Sequence, residues 1–585
     1  MIRINERVGR VFLACLLGSV MPLSAADNPV AQPTEIEQLK QMLADQQRQI
    51  NELRQALMQQ QTQQQTKQAD GAASAATGSS VIPPVDPTPV STYRNLGQVA
   101  STSAMLPHAP AALAIPAIPL PKAAPPDATS SSTNPCEADV ERTIPTFLRL
   151  GNVCLVPIGF MDLTPLWRDK NAGSSMGSNF GSIPYNNTAN GNLNEFRFSP
   201  QNSRIGFRVD GDWKGAHFIG YNEFDFNGTS GSNALAVSNG AFVPRLRLFW
   251  ADVRKGKVEF LAGQSWSMLT PNRNGISALP GDLFYTQVID INYMAGLTWT
   301  RQPGVRVLIH PSKQVTFGFS AEQPDQYIGG SAGGSGIVLP SALGGLANTQ
   351  LDNAQNVSAG QNILTQPTVT PDFIAKIAFD PNSRFHFEVG GIESNFKTAS
   401  TSTLTGSFYT THHTTQGAGL LVGLNVAVLK NLRLISTNFF SDGEGRYLFG
   451  QAPDLIVRAN GDLSAVRADG TIDGFEATVK NTLFYAYYGG IYIGRNVAID
   501  TNGSRVGYGY TGSANSQNRS IQEVTFGFNQ TMWRNPRYGA INVMGQYEYL
   551  TRNPWYVALG SPKNTHDNTI YFNIRYTLPG AMPNF

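Results

Sequence analysis

The stretch Arg204-Ile205-Gly206-Phe207-Arg208-Val209-Asp210 decides the fold, because apolar and polar side chains alternate along it. Its branched and aromatic side chains share one face and its charged side chains share the other, as in a half-buried β-strand. The same period of two recurs at 315–320, 384–389, 523–529 and 570–577. Few soluble folds sustain this period from Cys154 to Phe585, and a transmembrane barrel requires it. We therefore expect Phe207, Phe317, Phe387 and Phe572 to face lipid.

The connectors between these strands support a barrel over a soluble sandwich. Short turns occur near 211–215, 255–256, 310–313, 380–383, 430–431, 481–482 and 535–537. Long polar segments alternate with them, near 164–195, 227–242, 265–290, 322–370, 394–416, 441–471, 494–519 and 553–566. Tight periplasmic turns and long external loops give an outer-membrane barrel this asymmetry. The pattern predicts an all-β, transmembrane antiparallel barrel of about 16 strands, with both ends on the short-turn side. Arg301–Gly304 resembles a turn but must lie within a strand, and we expect a bulge there.

Composition excludes other classes. Charged residues make up 14% of the 585 residues, against roughly 25% in ordinary soluble proteins. The mean hydropathy is −0.19, and no uncharged run of about 18 apolar residues follows the first 30, which argues against a helical membrane protein. The net charge of +2 gives no support for nucleic-acid binding.

The first 134 residues divide into three segments. Residues 1–26 read as a secretory signal peptide, with arginines, an apolar run and small residues at the cleavage site. Residues 35–67 place Ile and Leu at heptad spacing, which predicts an α-helical coiled coil and self-association. Residues 68–134 are rich in Ala and Pro and predict a semi-extended linker. The barrel then occupies 135–585.

Two cysteines, Cys136 and Cys154, remain after signal removal. In an oxidising compartment, an even pair this close in sequence is a candidate disulfide. Closing such a loop would stabilise the fold by ~3 kcal/mol in the chain-entropy model. Two separate thiols are the alternative.

Charged residues on the polar faces predict a pore constriction. Arg204 and Arg208 face the lumen if their apolar neighbours face lipid, and Glu223 and Asp225 share one face of the next strand. Arg245 and Arg247 share a face on the strand after, provided that three neighbours take the lipid side: Leu246, Leu248 and Trp250. These rows suggest either a charge-separated constriction or a salt-bridge ladder that braces the wall.

The segment Ser265–Asp290 is the best candidate for a loop folded into the lumen, and it carries Arg273. An ordinary outer loop is the alternative.

Motifs for catalysis or cofactor binding fail on inspection. Gly263–Ser267 lacks the last glycine of a nucleophile elbow, and Gly507–Gly512 matches a dinucleotide fingerprint without a following helix. His412 and His413 lie in an expected external loop, where adjacent histidines are more often solvated than metal-bound. We expect no enzyme activity, no cofactor and no metal site.

Three motifs, in their order along the chain after a coiled coil, resemble those of DcaP-type trimeric outer-membrane porins of Gram-negative bacteria. They are Ser203-Arg204-Ile205-Gly206-Phe207, Gly263-Gln264-Ser265-Trp266-Ser267 and Asn573-Ile574-Arg575-Tyr576-Thr577-Leu578-Pro579. The chain departs from the usual barrel terminus, because five residues and then Phe585 follow Pro579.

The resemblance implies a homotrimer of 16-stranded barrels in outer-membrane lipid, with the coiled coil in the periplasm. It also implies passive diffusion of small anionic solutes such as dicarboxylates. A phosphate-selective porin is one alternative, which would need a dense ladder of Arg and Lys. The other is a structural tether in which the periplasmic segment contacts the cell wall.

Overall fold

The computed structural model describes residues 147–579 except for 173, 229–241, 331–332, 342–369, 405–406 and 536–537. The expected signal peptide, coiled coil, linker and Cys136 lie outside these residues. No helix in the described part of the chain is long and apolar enough to cross a membrane.

Sixteen antiparallel strands form one closed barrel, as the connectors predict. They are β1 (Val153–Arg168), β2 (Glu195–Ser199 and Arg204–Trp213), β3 (Ala216–Gly228), β4 (Val243–Lys255), β5 (Val258–Trp266), β6 (Arg301–Ile309), β7 (Val315–Glu322), β8 (Asp372–Asn382), β9 (Phe385–Leu404), β10 (Ser407–Leu429), β11 (Leu432–Asp442), β12 (Arg467–Val479), β13 (Thr482–Ile493), β14 (Asn518–Asn535), β15 (Gly539–Pro554) and β16 (Thr565–Thr577). The barrel closes between β1 and β16, where Leu166 lies opposite Tyr571.

Shorter strands and turns lie outside the 16 barrel strands. A strand at Leu148–Leu150 pairs with the start of β1. Two hairpins lie in the loops, Leu455–Val457 with Leu463–Ala465 and Asn496–Ile499 with Arg505–Tyr508. Short 3-10 turns occur at Phe180–Ser182, Asn190–Asn192, Pro280–Asp282 and Gly445–Tyr447.

The two faces of the wall have the polarity that alternation predicts. Phe207, Phe387 and Phe572 point outward and are about 40% exposed, at 41%, 37% and 43%. Phe317 also faces outward and is partly exposed. Inward side chains are mostly buried and largely polar, with a carboxylate, amide or hydroxyl on almost every strand. An apolar outer belt around a polar interior is the arrangement of a barrel in lipid.

Both chain ends of the barrel lie on the short-turn side, as expected. Val153 pairs with Gly211 near the turn that precedes β3, and Thr577 pairs with Ala540 near the turn between β14 and β15. That first turn has positive φ at Lys214 and at Gly215, the geometry of a two-residue hairpin whose twist matches its strands.

Two sequence predictions about connectors were wrong. The segment 394–416 is not a long loop, because β9 and β10 pair up to Leu404 opposite Ser407. Its many threonines are β-branched and favour extended strands over loops. Arg301–Gly304 lies in β6 as expected, but without a bulge: Gln302, Pro303 and Gly304 pair in unbroken register with β5.

Candidate constriction site

The segment 267–300 between β5 and β6 runs through the lumen, which confirms and extends the infolded loop expected at Ser265–Asp290. Its backbone N–H groups donate to side chains on distant parts of the wall. Asn272 donates to Glu388 on β9 (3.0 Å), Gln287 to the Tyr487 hydroxyl on β13 (3.0 Å) and Ala295 to Glu523 on β14 (2.9 Å). The segment is therefore fixed to the inner wall opposite the strand from which it starts.

Arg273 anchors this segment and does not face an open pore. Its guanidinium forms two bonds to the Glu476 carboxylate on β12, at 2.6 and 3.0 Å. It also donates to the Tyr285 carbonyl at 2.7 Å, and Tyr487 donates to Glu476 at 2.8 Å. Both charged side chains are less than a tenth exposed. Charge-assisted pairs of this geometry are among the stronger hydrogen bonds in proteins.

The facing rows on β3 and β4 form a salt-bridge ladder. Arg245 binds both oxygens of Asp225 at 3.0 and 2.7 Å. Arg247 bridges Glu223 at 2.7 Å and Asp225 at 2.6 Å, and it donates to the Tyr293 hydroxyl of the infolded segment at 3.2 Å. These contacts brace the wall against the segment. A role for the four side chains in ion selection stays a prediction.

A bulge at Arg247 corrects the expected register of β4. Glu223 pairs with Leu248 and Phe224 with Leu246, so Arg247 is an extra residue between two pairs. Leu246 faces outward as expected (41% exposed), but Leu248 and Trp250 face inward and are buried. A bulge puts two successive side chains on the same face, which strict alternation cannot predict.

Arg204 and Arg208 point into the lumen from β2. The Arg204 guanidinium lies 5.3 Å from the Phe160 ring centroid and 3.5 Å from Glu223. Arg208 pairs with Asp210 on its own strand at 2.6 Å. Their side chains are 10% and 17% exposed, in contrast to 2% for Arg247. They are therefore more accessible than Arg247, whereas Arg245 of the ladder is 33% exposed.

A cavity of about 20 Å³ separates the infolded segment from the wall of β1, β2 and β16, room for about one water. Its lining includes Arg204 and Arg575 from the wall and Tyr285, Asp290 and Tyr293 from the segment. The sequence argument missed Arg575, although the alternation of Ile570, Phe572 and Ile574 already directed it inward.

Arg575 and Asp290 give this cavity opposed charges. The Arg575 guanidinium lies 3.8 Å from the Phe160 centroid and donates to Asp162 at 2.8 Å. Asp290 accepts from the Ser178 N–H at 2.8 Å, the Asn292 N–H at 2.7 Å and the Tyr571 hydroxyl at 3.0 Å. Burial raises the pKa of the Asp290 carboxyl, and the two backbone hydrogen bonds offset only part of the increase.

Other loops also pack inside the barrel, which the sequence did not predict. One apolar cluster joins side chains of the first loop (between β1 and β2), the infolded segment, the loop 443–466 and the loop 494–517 to the wall. Its loop members are Phe180, Ile183, Met268, Leu269, Ile276, Tyr447, Leu448, Ile456, Val506 and Tyr508. These residues follow no fixed period in the sequence. The half of the lumen on the long-loop side therefore has a packed core of its own.

Cys154 is fully buried and disulfide-bonded. Because Cys136 lies outside the described residues, the pairing Cys136–Cys154 stays a prediction. Within the described ranges, no group of His, Cys, Asp and Glu side chains is arranged to hold a metal ion.

No family model and no curated protein matches the chain. Among solved structures, the outer membrane channel DcaP of Acinetobacter baumannii aligns with a TM-score of 0.52 and 16% identity, over 74% of this chain and 99% of that one. The fold is that of a DcaP-type channel. An anion-selective porin from Comamonas acidovorans (TM-score 0.39, 10% identity, 73% and 100% covered) and OmpT of Vibrio cholerae (0.37, 10%, 74% and 99%) are similar too. In this DcaP-type barrel, the level at which the infolded segment faces Arg204 and Arg575 is the candidate constriction.

Proposed function

We propose that the protein is an outer-membrane porin, a passive diffusion channel for small hydrophilic solutes that prefers anions, dicarboxylates among them. The observation that carries the proposal is the closed barrel whose lumen is narrowed by an infolded segment next to a wall bearing Arg204 and Arg575. A segment folded into a closed barrel narrows the lumen at one level, and the charges at the narrowest level select the permeating ion.

The chemistry of the arginines supports the anion preference. A guanidinium keeps its charge at any working pH and binds a carboxylate through two parallel hydrogen bonds. Arg204 and Arg208 retain partial exposure, so they can attract an anion and release it. The ladder of Arg245 and Arg247 and the buried Arg273–Glu476 pair hold their surroundings in place.

Mixed charge on the inner wall disfavours a phosphate-selective porin. Buried carboxylates project inward from many strands, among them Glu388, Glu476, Glu523 and Glu548. A wall of this kind lacks the dense ladder of basic residues that phosphate selection would require.

A structural tether is the second candidate, because the loops form a packed core in the half of the lumen on the long-loop side. The homotrimer, the periplasmic coiled coil and a contact with the cell wall are further proposals, supported by the heptads of 35–67. Ion conductance separates the two functions, since a tether needs none.

The test is the double substitution Arg204→Ser and Arg208→Ser, measured as the reversal potential in a salt gradient across a planar bilayer. We expect a shift toward cation preference. The matched control removes two exposed arginines, Arg384→Ser and Arg505→Ser, and should leave the reversal potential unchanged. Wild-type selectivity in the first variant would assign Arg204 and Arg208 to the bracing ladder.

A further inference from the structure

The loop 443–466 between β11 and β12 contacts the other elements inside the barrel. The Trp299 N–H of the infolded segment donates to the Tyr447 carbonyl at 2.8 Å. The Phe449 ring stacks on Trp299 with centroids 4.6 Å apart, and it meets Phe180 of the first loop edge-on at 5.9 Å. Phe449 packs against two apolar clusters of the barrel interior, the one that joins the loops and a second that includes Trp266, Tyr285 and Leu297. Withdrawal of this loop would therefore expose both.

Phe449 has a strained backbone. Its φ is 55°, in the left-handed region that costs an L-residue roughly 1–2 kcal/mol. Aromatic residues are rarely found there, and such strain persists only where packing enforces it. The loop therefore stores energy in its docked position that its release would recover.

Several carboxylates surround one guanidinium at the base of this loop. The Arg446 guanidinium contacts Asp372 on β8 and lies 3.8 Å from Asp454, whose carboxylate also accepts from the Arg446 N–H at 2.8 Å. Asp325 lies close enough to interact with both Arg446 and Asp454. Glu444 faces Asp454 and accepts from the Ser394 hydroxyl on β9 at 3.1 Å.

The other groups that face this cluster add little positive charge. Glu322 on β7 and the Tyr447 hydroxyl, which donates to Asp372 at 2.9 Å, lie against Arg446. The Tyr327 N–H donates to Asp454 at 3.3 Å. From β10, Gly417 lies beside Glu444 and His413 pairs with Asp462 further along the loop; from β12, Gly470 lies against Leu448.

With every carboxyl ionised, Asp325 and the buried Asp372, Glu444 and Asp454 would share one cation, which is electrostatically costly. The docked loop therefore binds protons more tightly than a released one. We propose that the loop 443–466 is a pH-responsive plug of the channel, held in the lumen while Glu444 and Asp454 are protonated and released as they ionise. The inference rests on the proposed porin function.

The pKa directions agree with this mechanism. Burial raises the pKa of Glu444 and of Asp454 well above the ordinary carboxyl range, and it raises the pKa of Asp325. A carboxyl whose pKa is higher in the docked state stabilises docking at low pH. That stabilisation falls as the pH rises above about 4, the pKa of a solvated carboxyl, and is lost once the pH passes the docked pKa. Each ionising carboxyl lowers the docking constant by up to about tenfold per pH unit within that window.

The first test measures the conductance of the full-length protein in planar bilayers from pH 5 to pH 8. We expect the wild-type conductance to rise with pH. The variant Glu444→Gln with Asp454→Asn should conduct weakly at every pH, because its plug stays neutral and docked. The control Glu393→Gln removes an exposed carboxylate of β9, outside the loop, and should keep the wild-type profile. A wild-type rise in the double variant would overturn the proposal.

A labelling experiment follows the plug without relying on conductance. Val457 is fully buried in the loop, and Val457→Cys conserves volume approximately. The rate at which this cysteine reacts with a membrane-impermeant maleimide is divided by the rate for Leu559→Cys, an exposed position. The ratio removes the effect of pH on thiol reactivity itself. We expect this ratio to rise about tenfold or more from pH 5 to pH 8. If the labelling ratio rises but no conductance is seen at any pH, the plug moves and the porin function is wrong. If the protein conducts and the labelling ratio stays constant, only the plug is wrong.

Discussion

The Arg273–Glu476 pair offers a sharp test of how the infolded segment is held. We consider Glu476→Ala, which removes the carboxylate that binds the Arg273 guanidinium through two hydrogen bonds of 2.6 and 3.0 Å. Arg273 keeps the Tyr285 carbonyl as an acceptor at 2.7 Å, but its charge stays buried without a counterion.

The size of the effect follows from this burial. Breaking a buried ion pair by removing one partner costs about 3–5 kcal/mol, whereas replacing both partners with apolar residues is often close to neutral. We therefore expect Glu476→Ala to lower the free energy of unfolding by ~3–5 kcal/mol. The double variant Arg273→Leu with Glu476→Leu should lose much less, and the pair should show strong coupling in a double-mutant cycle.

The assay is urea-dependent folding into lipid vesicles, monitored by tryptophan fluorescence, for the wild type, the single variants and the double variant. The exposed carboxylate Glu393 supplies a control, since Glu393→Ala should change stability by no more than about 0.5 kcal/mol. A loss below about 1 kcal/mol for Glu476→Ala, or additive single losses, would refute the view that this pair anchors the segment.

Four further outcomes are expected. Phe317→Arg should destabilise the barrel in lipid by ~2–4 kcal/mol, measured by urea titration against Phe317→Leu, and an unchanged midpoint would place this position away from lipid. Deletion of residues 35–67 should convert a trimer to monomers by light scattering, so an unchanged trimer would assign assembly to the barrel walls. Thiol labelling of the urea-unfolded, unreduced protein, read by mass spectrometry, should modify Cys154 in a Cys136→Ser variant and not in the wild type, while equal labelling would exclude their disulfide. Burial raises the pKa of Asp282 to about 6, so its contribution to stability falls as pH rises above about 4 and is lost above about 6. The stability difference between Asp282→Asn and the wild type, measured by urea titration, should therefore move in favour of the variant from pH 5 to pH 8. A difference that does not change with pH would count against the raised pKa of Asp282.

Alternation and connector length predicted the wall of this barrel well, because both express simple geometry. A side-chain period of two directs Phe207, Phe387 and Phe572 outward in the structure as it does in the sequence. The prediction failed where one residue interrupts the period. The bulge at Arg247 turns Leu248 and Trp250 inward, and no local residue pattern marks it.

The lumen contents could not be predicted from pattern in the same way. The infolded segment was recognisable by its place after β5, but its anchors Glu388 and Glu523 come from strands far along the chain. The loop 443–466 reads as polar sequence, and Tyr447 and Phe449 acquire their roles only by contact with other loops. Contacts between aperiodic segments depend on tertiary packing, which sequence periodicity does not report.

The conductance of the purified full-length protein in planar bilayers tests the central claim most directly. Single insertions should give stepwise currents with anion preference in a salt gradient, and organic dicarboxylates added to one side should carry current or block it. The absence of any current steps between pH 5 and pH 8, from protein shown to be folded by its resistance to detergent unfolding, would contradict the channel and favour a structural tether.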